Sequence, residues 1–350
     1  MQHKERLLIV GGLPNSRLKK GYGGATVLLQ NFVDYLQKQE VNYKFVKTNR
    51  YFKEGETPDT KKNTAVFFLQ FLLLLPWART VMFNFSDHAT VKFFPLLVRL
   101  GKALGKKVVF RKFGGSLDVY LENYGEATKA RTFGAIKRAD VVMLETKATI
   151  AYVGRMTGLR DNIVWFPNVR NASPLRAPGK YEKRFVFISH ILDEKGVGDI
   201  LAVAETLPDG YTIDLFGPVK EKKYAGFDWQ AHRVHYGGVL TSEDVLPTLT
   251  RYNLLLLTSY REGYPGIIIE AMSVGVPALT TKAGGIPEIV ENGRNGILVE
   301  AGNRRQIREA MLSVTQESYQ AMSQEALRRF AANFEAEATN RRILNEIMSI

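Results

Sequence analysis

The chain has 350 residues, 45% hydrophobic and 24% charged, the balance of a soluble globular protein long enough for about two domains. It contains no cysteine, which excludes disulfides and thiolate chemistry and suits a reducing compartment. The formal charge of +13 is uneven: residues 1–172 carry 28 Lys and Arg against 13 Asp and Glu, whereas residues 173–350 carry 20 against 22.

The start, MQHKERLLIVGG, passes from charged residues straight into a short apolar strand. It lacks the long apolar stretch and small-residue cleavage site of a secretory signal, so a cytoplasmic protein is expected. "RLLIVGG" (6–12) reads as a strand, followed by the loop "LPNSRLKKGYGG", a helix "ATVLLQNFVDYLQKQ" and a second strand "YKFVKT". The apolar run Ala65 to Ala78 is 14 residues long and broken by Gln70 and Pro76, too short to span a bilayer and best read as a buried helix. "TVMFNF", "KVVFRKF", "VVMLE" and "NIVWFPN" continue the series of strands, with a helical stretch "VKFFPLLVRLGKALG" between the first two. Continuous apolar strands alternating with helices predict a parallel sheet covered on both faces.

The pattern stops at "VRNASPLRAPGKYEKR" (169–184), which reads as an interdomain linker, and then restarts. "FVFISH", "TIDLFG", "VHYGG", "NLLLLTS", "PALTT" and "GILVE" are strands, and "GVGDILAVAETL" and "GIIIEAMSVG" helices. From about Asn303 the chain is helical to its end. The expected organisation is a first Rossmann-like domain over 1–172 and a second over 173–330. A C-terminal helix, 331–350, could pack back on the first. Doubly wound domains bind ligands at the carboxyl ends of their strands.

"NLLLLTSYREGYPGIIIEAMSVGVP" has the form strand, loop, helix. Glu262 falls at the carboxyl end of the strand. Gly266, Ile267 and Ile268 would supply the unpaired N–H groups of the helix's first turn, a ready site for a phosphate. Glu270 lies about one turn inside, where its carboxylate could accept from two adjacent hydroxyls such as those of a ribose.

The segment E-G-Y-P-G-x-x-x-E-A-M-x-x-G-x-P, followed by "GGIPEIVENGRNGILVE", resembles the E-x7-E region of the family 4 retaining glycosyltransferases. These have the GT-B architecture of two Rossmann-like domains facing a central cleft. The glycine loop with Gly23 and Gly24, the Pro-Asn end of "VWFPNVRN" and "FVFISHILDEKGVGDIL" also resemble that family. The resemblance implies that the second domain holds a nucleotide-sugar, with Gly23 and Gly24 letting backbone approach the donor. Lys195 and the amides of Gly266 and Ile267 would neutralise its diphosphate, Glu270 would bind its ribose, and Glu262 would contact the donor sugar. It further implies retention by a front-face route, with no protein nucleophile, cofactor or metal. No D-x-D metal motif follows a strand.

Two positions depart from the family's pattern. Five residues ahead of Lys195, where an arginine is usual, stands His190, which is cationic only part of the time near neutral pH. Where many relatives carry a histidine followed by glycines, this chain has Phe113, Gly114, Gly115 and Ser116. Beside them Arg111 and Lys112 could attract a phosphorylated acceptor, and His88 in "NFSDHAT" reads as a hydrogen-bonded loop histidine.

The +15 first half is expected to face something anionic, such as nucleic acid, phospholipid headgroups or a phosphorylated substrate. Zinc-finger spacing, an RNP-like aromatic string and a basic heptad helix are all absent from the sequence, so nucleic acid is set aside. The resemblance implies a hexosyl-type transferase moving a sugar from a UDP- or GDP-sugar to a glycan or lipid-linked acceptor, in cell-surface polysaccharide biosynthesis. The basic first domain fits a cytoplasmic enzyme peripheral to the anionic inner face of the plasma membrane. The competing readings are a nucleotide-sugar epimerase, a phosphorylase-like enzyme of the same fold, and a non-catalytic partner that binds a nucleotide-sugar.

Overall fold

The computed structural model describes residues 6–13, 24–49, 61–115 and 117–350. They divide into two compact units, Met1–Pro167 with Ala336–Ile350, and Asn168–Glu335.

In the first unit the elements run β1 (Leu7–Gly11), α1 (Gly24–Lys38), β2 (Tyr43–Lys47), α2 (Lys61–Leu74), β3 (Thr80–Phe85), α3 (Asp87–Lys92) and α4 (Phe94–Ala103). β4 (Lys107–Lys112), α5 (Leu117–Glu122), α6 (Glu126–Ile136), β5 (Val141–Leu144), α7 (Lys147–Thr157) and β6 (Ile163–Trp165) follow. Every strand pairing is parallel, in the order β2-β1-β3-β4-β5-β6. β1, β3 and β5 are buried along their whole length, as strands covered on both faces must be. The expected single helix over 91–105 is two. Pro95 lacks an N–H and stands in the first turn of α4, so the helical ladder is interrupted at Phe93 and restarts.

The second unit contains β7 (Arg184–Ile188), α8 (Val197–Ala204), β8 (Thr212–Phe216), β9 (His235–Tyr236), α9 (Val245–Leu249) and β10 (Leu254–Leu257). It continues with α10 (Gly266–Ser273), β11 (Ala278–Thr281), α11 (Ile286–Ile289), β12 (Gly296–Val299), α12 (Arg304–Ser313) and α13 (Gln316–Asn333). Its sheet is also parallel, in the order β12-β11-β10-β7-β8-β9. That is the doubly wound order of a Rossmann fold, and its direction of winding reverses between β7 and β10.

The last helix, α14 (Ala336–Met348), belongs to the first unit. Ile343, Leu344 and Ile347 are buried in the same apolar layer as Leu29, Phe32 and Leu36 of α1. The Arg342 guanidinium donates to the Trp165 carbonyl over 2.8 Å. The break between units falls at Pro167 rather than at residue 172, and near 335 rather than 330. The reason is local: Asn168 and Arg170 are bonded to Tyr264, Glu270 and Phe334 of the second unit. The segment read as a linker is likewise stitched to that unit, through Ala177 N–H to Val274, Tyr181 N–H to Gln316 and Glu182 N–H to Asn253. By sequence the first unit carries 29 Lys and Arg against 15 Asp and Glu, and the second 19 against 20.

Among the described residues, no helix is long and apolar enough to cross a membrane. α2 nevertheless leaves Leu69, Leu72 and Leu73 exposed.

Candidate functional site

The reversal point of the second sheet collects most of the residues singled out in the sequence. β7 ends at Ile188 and β10 at Leu257, and they are neighbours in the sheet, so the loops that follow them emerge side by side. After β7 comes His190, then a single turn of 3-10 helix, Asp193–Lys195, closed by Gly196 at φ +78°. A Cβ on Gly196 would stand 2.3 Å from the Thr258 carbonyl oxygen, so a side chain here would force the two loops apart. The close approach is fastened by Thr258 Oγ1 donating to the Gly196 carbonyl (3.2 Å) and by the Tyr260 N–H donating to the Glu194 carbonyl (2.9 Å).

This contact brings Lys195 Nζ to 2.7 Å from Glu262 Oε1, an ion pair whose side chains are 19% and 11% exposed. The same oxygen accepts from Ser259 Oγ at 2.8 Å. Glu262 is held from the other side by the "AGG" turn. The Gly285 N–H donates to the Gly263 carbonyl (2.7 Å), and Gly284, at φ +54°, lies where a Cβ would be 2.0 Å from the Glu262 carbonyl oxygen. Two glycine contacts thus clamp the loop that carries the first acid.

α10 starts at Gly266 after Pro265, and no side chain caps it. Its first N–H groups have no partner within the helix, and the helix dipole makes this end attractive to an anion. Ile268 and Ile269 are fully buried and anchor the helix, while Ile267 is half-buried. Glu270 is one turn in, and its Oε1 accepts from Arg170 Nε at 2.6 Å. Each of the two sequence-predicted acids is therefore paired to a cation, Glu262 with Lys195 and Glu270 with Arg170.

His190 lies between Ser189, whose N–H donates to the Phe216 carbonyl, and Ile191, whose N–H donates to the Pro218 carbonyl. Partial desolvation pushes the pKa of its ring below the ordinary histidine value, and the positive charges of Lys220 and Lys195 push it the same way. These surroundings disfavour the protonated ring, so His190 is a weaker source of positive charge than the arginine it stands in place of.

The first unit holds the other candidates. Gly24 opens α1 with open space where a Cβ would be, whereas Gly23 and Ser116 lie outside the described residues. Gly114, at φ +81°, donates its N–H to Glu145 Oε2 and accepts from Lys112 Nζ, both at 2.7 Å. The Gly115 carbonyl accepts from Thr149 Oγ1.

Arg111 corrects the expectation of a surface cation. Its side chain shares the inward face of β4 with Val109 and Phe113, and it is 1% exposed. The guanidinium lies 3.6 Å from the Phe166 ring centroid and 4.5 Å from that of Phe113. Its three nitrogens have no hydrogen-bond partner among the described residues. Burial lowers its pKa to about 9, against a smaller upward pull from Glu145. Lys112 is buried on the opposite face, paired to Asp87 at 2.7 Å.

His88 is a helical residue of α3 rather than a loop histidine, edge-on to Phe93. It lines a pocket of about 350 Å³ with Thr48, Asn63, Phe67, Phe85 and Phe93 at the carboxyl ends of β2 and β3.

Sequence reasoning did not find this pocket, nor the role of Arg170. The pocket's walls come from separated segments. Arg170 is a hundred residues from the acid that it holds, and only its place just after the quoted Pro-Asn pair pointed toward the site.

Residues 182–317 match the family described as Glycosyl transferases group 1. Among curated proteins, 61 residues are 39% identical to N-acetyl-alpha-D-glucosaminyl L-malate synthase of Bacillus anthracis, covering 17% of this chain and 16% of that protein. Over 184 residues the chain is 29% identical to a probable sucrose-phosphate synthase of Thermosipho melanesiensis, 48% of this chain and 42% of that one. It is 28% identical over 122 residues, 32% of this chain and 30% of the other, to a putative colanic acid biosynthesis glycosyltransferase, WcaL, of Salmonella typhimurium. The chain thus spans less than half the length of these curated relatives.

Two solved structures superpose over nearly the whole chain. Sucrose-phosphate synthase of Thermosynechococcus elongatus gives a TM-score of 0.75 at 15% identity, covering 98% of each chain. HepE of Anabaena, solved in complex with UDP, gives 0.72 at 14%, covering 99% of this chain and 100% of that one. The fold is GT-B, with two Rossmann-like units, and residues 182–317 carry a glycosyl transferases group 1 domain.

The buried guanidinium makes a prediction about stability. An unpaired buried charge is costly, so Arg111→Met is expected to leave stability unchanged or raise it, by on the order of 1–4 kcal/mol at neutral pH. Below about pH 9 Arg111 is charged in both folded and unfolded chains and the full penalty applies. Above that value the folded form sheds its proton first, so the gap between variant and wild type narrows. Urea midpoints taken on both sides of that pH read the effect. A fall of more than about 1 kcal/mol in the variant would show that ring stacking outweighs the cost of burial.

Proposed function

We propose that the protein is a retaining, metal-independent glycosyltransferase that moves a hexosyl group from a UDP- or GDP-sugar to a glycan or lipid-linked acceptor. The observation that carries this reading is the pair of acids around the start of α10, Glu262 fixed to Lys195 and Glu270 fixed one turn inside the helix. The resemblance to the family 4 transferases supports the following division of the donor's parts. The diphosphate goes to the amides of Gly266, Ile267 and Ile268 and to Lys195, the ribose hydroxyls to Glu270, and the sugar to Glu262.

In the transfer, the bond from the sugar's anomeric carbon to the β-phosphate oxygen breaks as the acceptor oxygen bonds to that carbon on the same face. The acceptor's proton passes to the departing phosphate oxygen, so no protein nucleophile is needed. Lys195 stabilises charge building on the leaving group, while its ion pair with Glu262 holds that carboxylate in place near the developing positive charge of the sugar. Lys195 and a helix terminus do the charge-neutralising that a metal does elsewhere.

The acceptor falls to the first unit, where the half-apolar pocket at His88 and the glycines Gly114 and Gly115 stand at strand ends. Arg111 contributes through its field, since its nitrogens are buried. The excess of positive charge on this unit and the exposed leucines of α2 favour a cytoplasmic enzyme peripheral to an anionic membrane. A putative colanic acid biosynthesis glycosyltransferase among the relatives supports work on cell-surface polysaccharide, and the UDP complex of HepE supports a nucleotide-sugar donor.

Three experiments check the reading. A panel of UDP-, GDP- and ADP-sugars is incubated with the protein, with and without membrane extract. Nucleotide release that depends on extract, and drops about 10²–10³-fold in Glu262→Ala, is the expected result; binding without such release points to a non-catalytic partner instead. A diphosphate beside His190 should raise the pKa of that ring, so nucleotide binding takes up a proton there and that share of affinity grows as pH falls. The excess of wild-type over His190→Ala affinity should therefore increase about three- to tenfold between about pH 8 and about pH 6; an excess that does not change with pH removes His190 from the site. In sedimentation, the protein should pellet with anionic vesicles and stay in solution with neutral ones, and equal recovery with both would sink the membrane assignment.

A further inference from the structure

Arg170 touches no part of the donor in the proposed transfer, yet both its backbone and its side chain are tied down. Its backbone is fixed first. The N–H donates to the Phe334 carbonyl at 3.0 Å, and Arg170 forms a parallel bridge with Glu335 just past the end of α13. Its side chain then crosses to α10. Nη1 donates to the Val169 carbonyl at 2.9 Å and to Asn168 Oδ1, and Nε donates to Glu270 Oε1 at 2.6 Å. The third nitrogen, Nη2, has no hydrogen-bond partner among the described residues and lies against the first residue of α10. A Cβ on Gly266 would stand 2.0 Å from it and 3.1 Å from Asn168 Nδ2. The glycine that opens the helix thus leaves room for the protein's own guanidinium, which a larger residue would have to displace. Asn168 completes the brace, with Nδ2 donating to the Tyr264 carbonyl over 3.4 Å.

The result is a carboxylate with one oxygen committed. Glu270 is 25% exposed, and its Oε1 is taken by Arg170. A glutamate side chain on a helix has several open rotamers, and a diol is gripped well only when both carboxylate oxygens lie in a fixed plane. The planar Nε–H restrains that plane and leaves Oε2, with two lone pairs, and the second lone pair of Oε1 for the two hydroxyls of a diol. Lysine at 170 could supply the charge but not the planar, multiply bonded fork.

We propose that Arg170 is the positioning residue that sets Glu270 for the ribose diol, and that through it the site selects ribonucleotide over deoxyribonucleotide donors. This rests on the reading of the second unit as a nucleotide-sugar site.

The test is calorimetric binding of UDP and GDP and their 2′-deoxy counterparts to the full chain. A hydrogen bond to a charged group is worth roughly a tenfold to hundredfold preference, and wild type is expected to favour the ribonucleotide by about that much. Arg170→Met should reduce the preference to within about threefold of unity, as Glu270→Gln should, while binding of inorganic pyrophosphate changes far less. Arg170→Lys, which keeps the charge and guards against a variant that fails to fold, should restore only part of the preference. A ribose preference in Arg170→Met or Arg170→Lys equal to that of wild type overturns the inference while leaving the nucleotide site standing. Wild type that binds none of the nucleotides overturns the site and the inference with it.

Discussion

The second unit is organised by one close approach of two backbones. Gly196, in the left-handed region, lies so near the Thr258 carbonyl that no side chain fits between them. β7 and β10 are not consecutive strands, and their loops meet only because the winding of the sheet reverses there. The glycine converts that neighbourhood into contact. Lys195, the residue before it, is then within reach of Glu262, which follows the next strand over. A bulkier residue at 196 would leave every strand in place and still separate the cation from the acid.

Charge in this region is arranged in cancelling pairs. Lys195 and Glu262 offset one another, Arg170 and Glu270 do the same, and the surroundings of His190 disfavour a proton on its ring. What remains to attract an anion is the amide end of α10, a fixed dipole that needs no titratable group. Partly buried acids that lacked partners would cost several kcal/mol each, so pairing them keeps the ligand-free unit stable. An anionic ligand then competes for the cations it meets instead of entering a bare positive hole.

Much of this was legible in the sequence, because strand cores are local. Runs such as "LLIVG", "TVMFNF" and "LLLL" announce buried parallel strands wherever they fall, and the strand–turn–helix around Pro265 sets both acids by spacing alone. What escaped were features fixed by tertiary neighbours. Phe93 ends one helix and Pro95 opens another, a detail smaller than a hydropathy window. "VRNASPLRAPGKYEKR" has a linker's composition, yet its backbone N–H groups find partners in the second unit. Arg111 looks like any strand-end cation, and only the pleat shows that it shares a face with Val109 and Phe113. Arg170 could not be paired with Glu270 without knowing that residues after Pro167 run beside the end of α13.

The buried Arg111 and the half-buried Arg170 make a useful contrast. Arg170 is held by its backbone and by Glu270, Asn168 and Val169, so its charge is balanced and its direction fixed. Arg111 has two aromatic faces and no hydrogen-bond partner among the described residues, and its pKa falls accordingly. Aromatic faces return on the order of 1–2 kcal/mol to a desolvated cation, less than its loss of hydration. The first arrangement stabilises the fold it sits in, and the second weighs against it. A folded chain tolerates such a residue because strand β4 and the layer around Phe32 and Phe166 supply far more burial than one guanidinium removes. The position is therefore held by the sheet around it, and the sheet would persist if the charge were taken away.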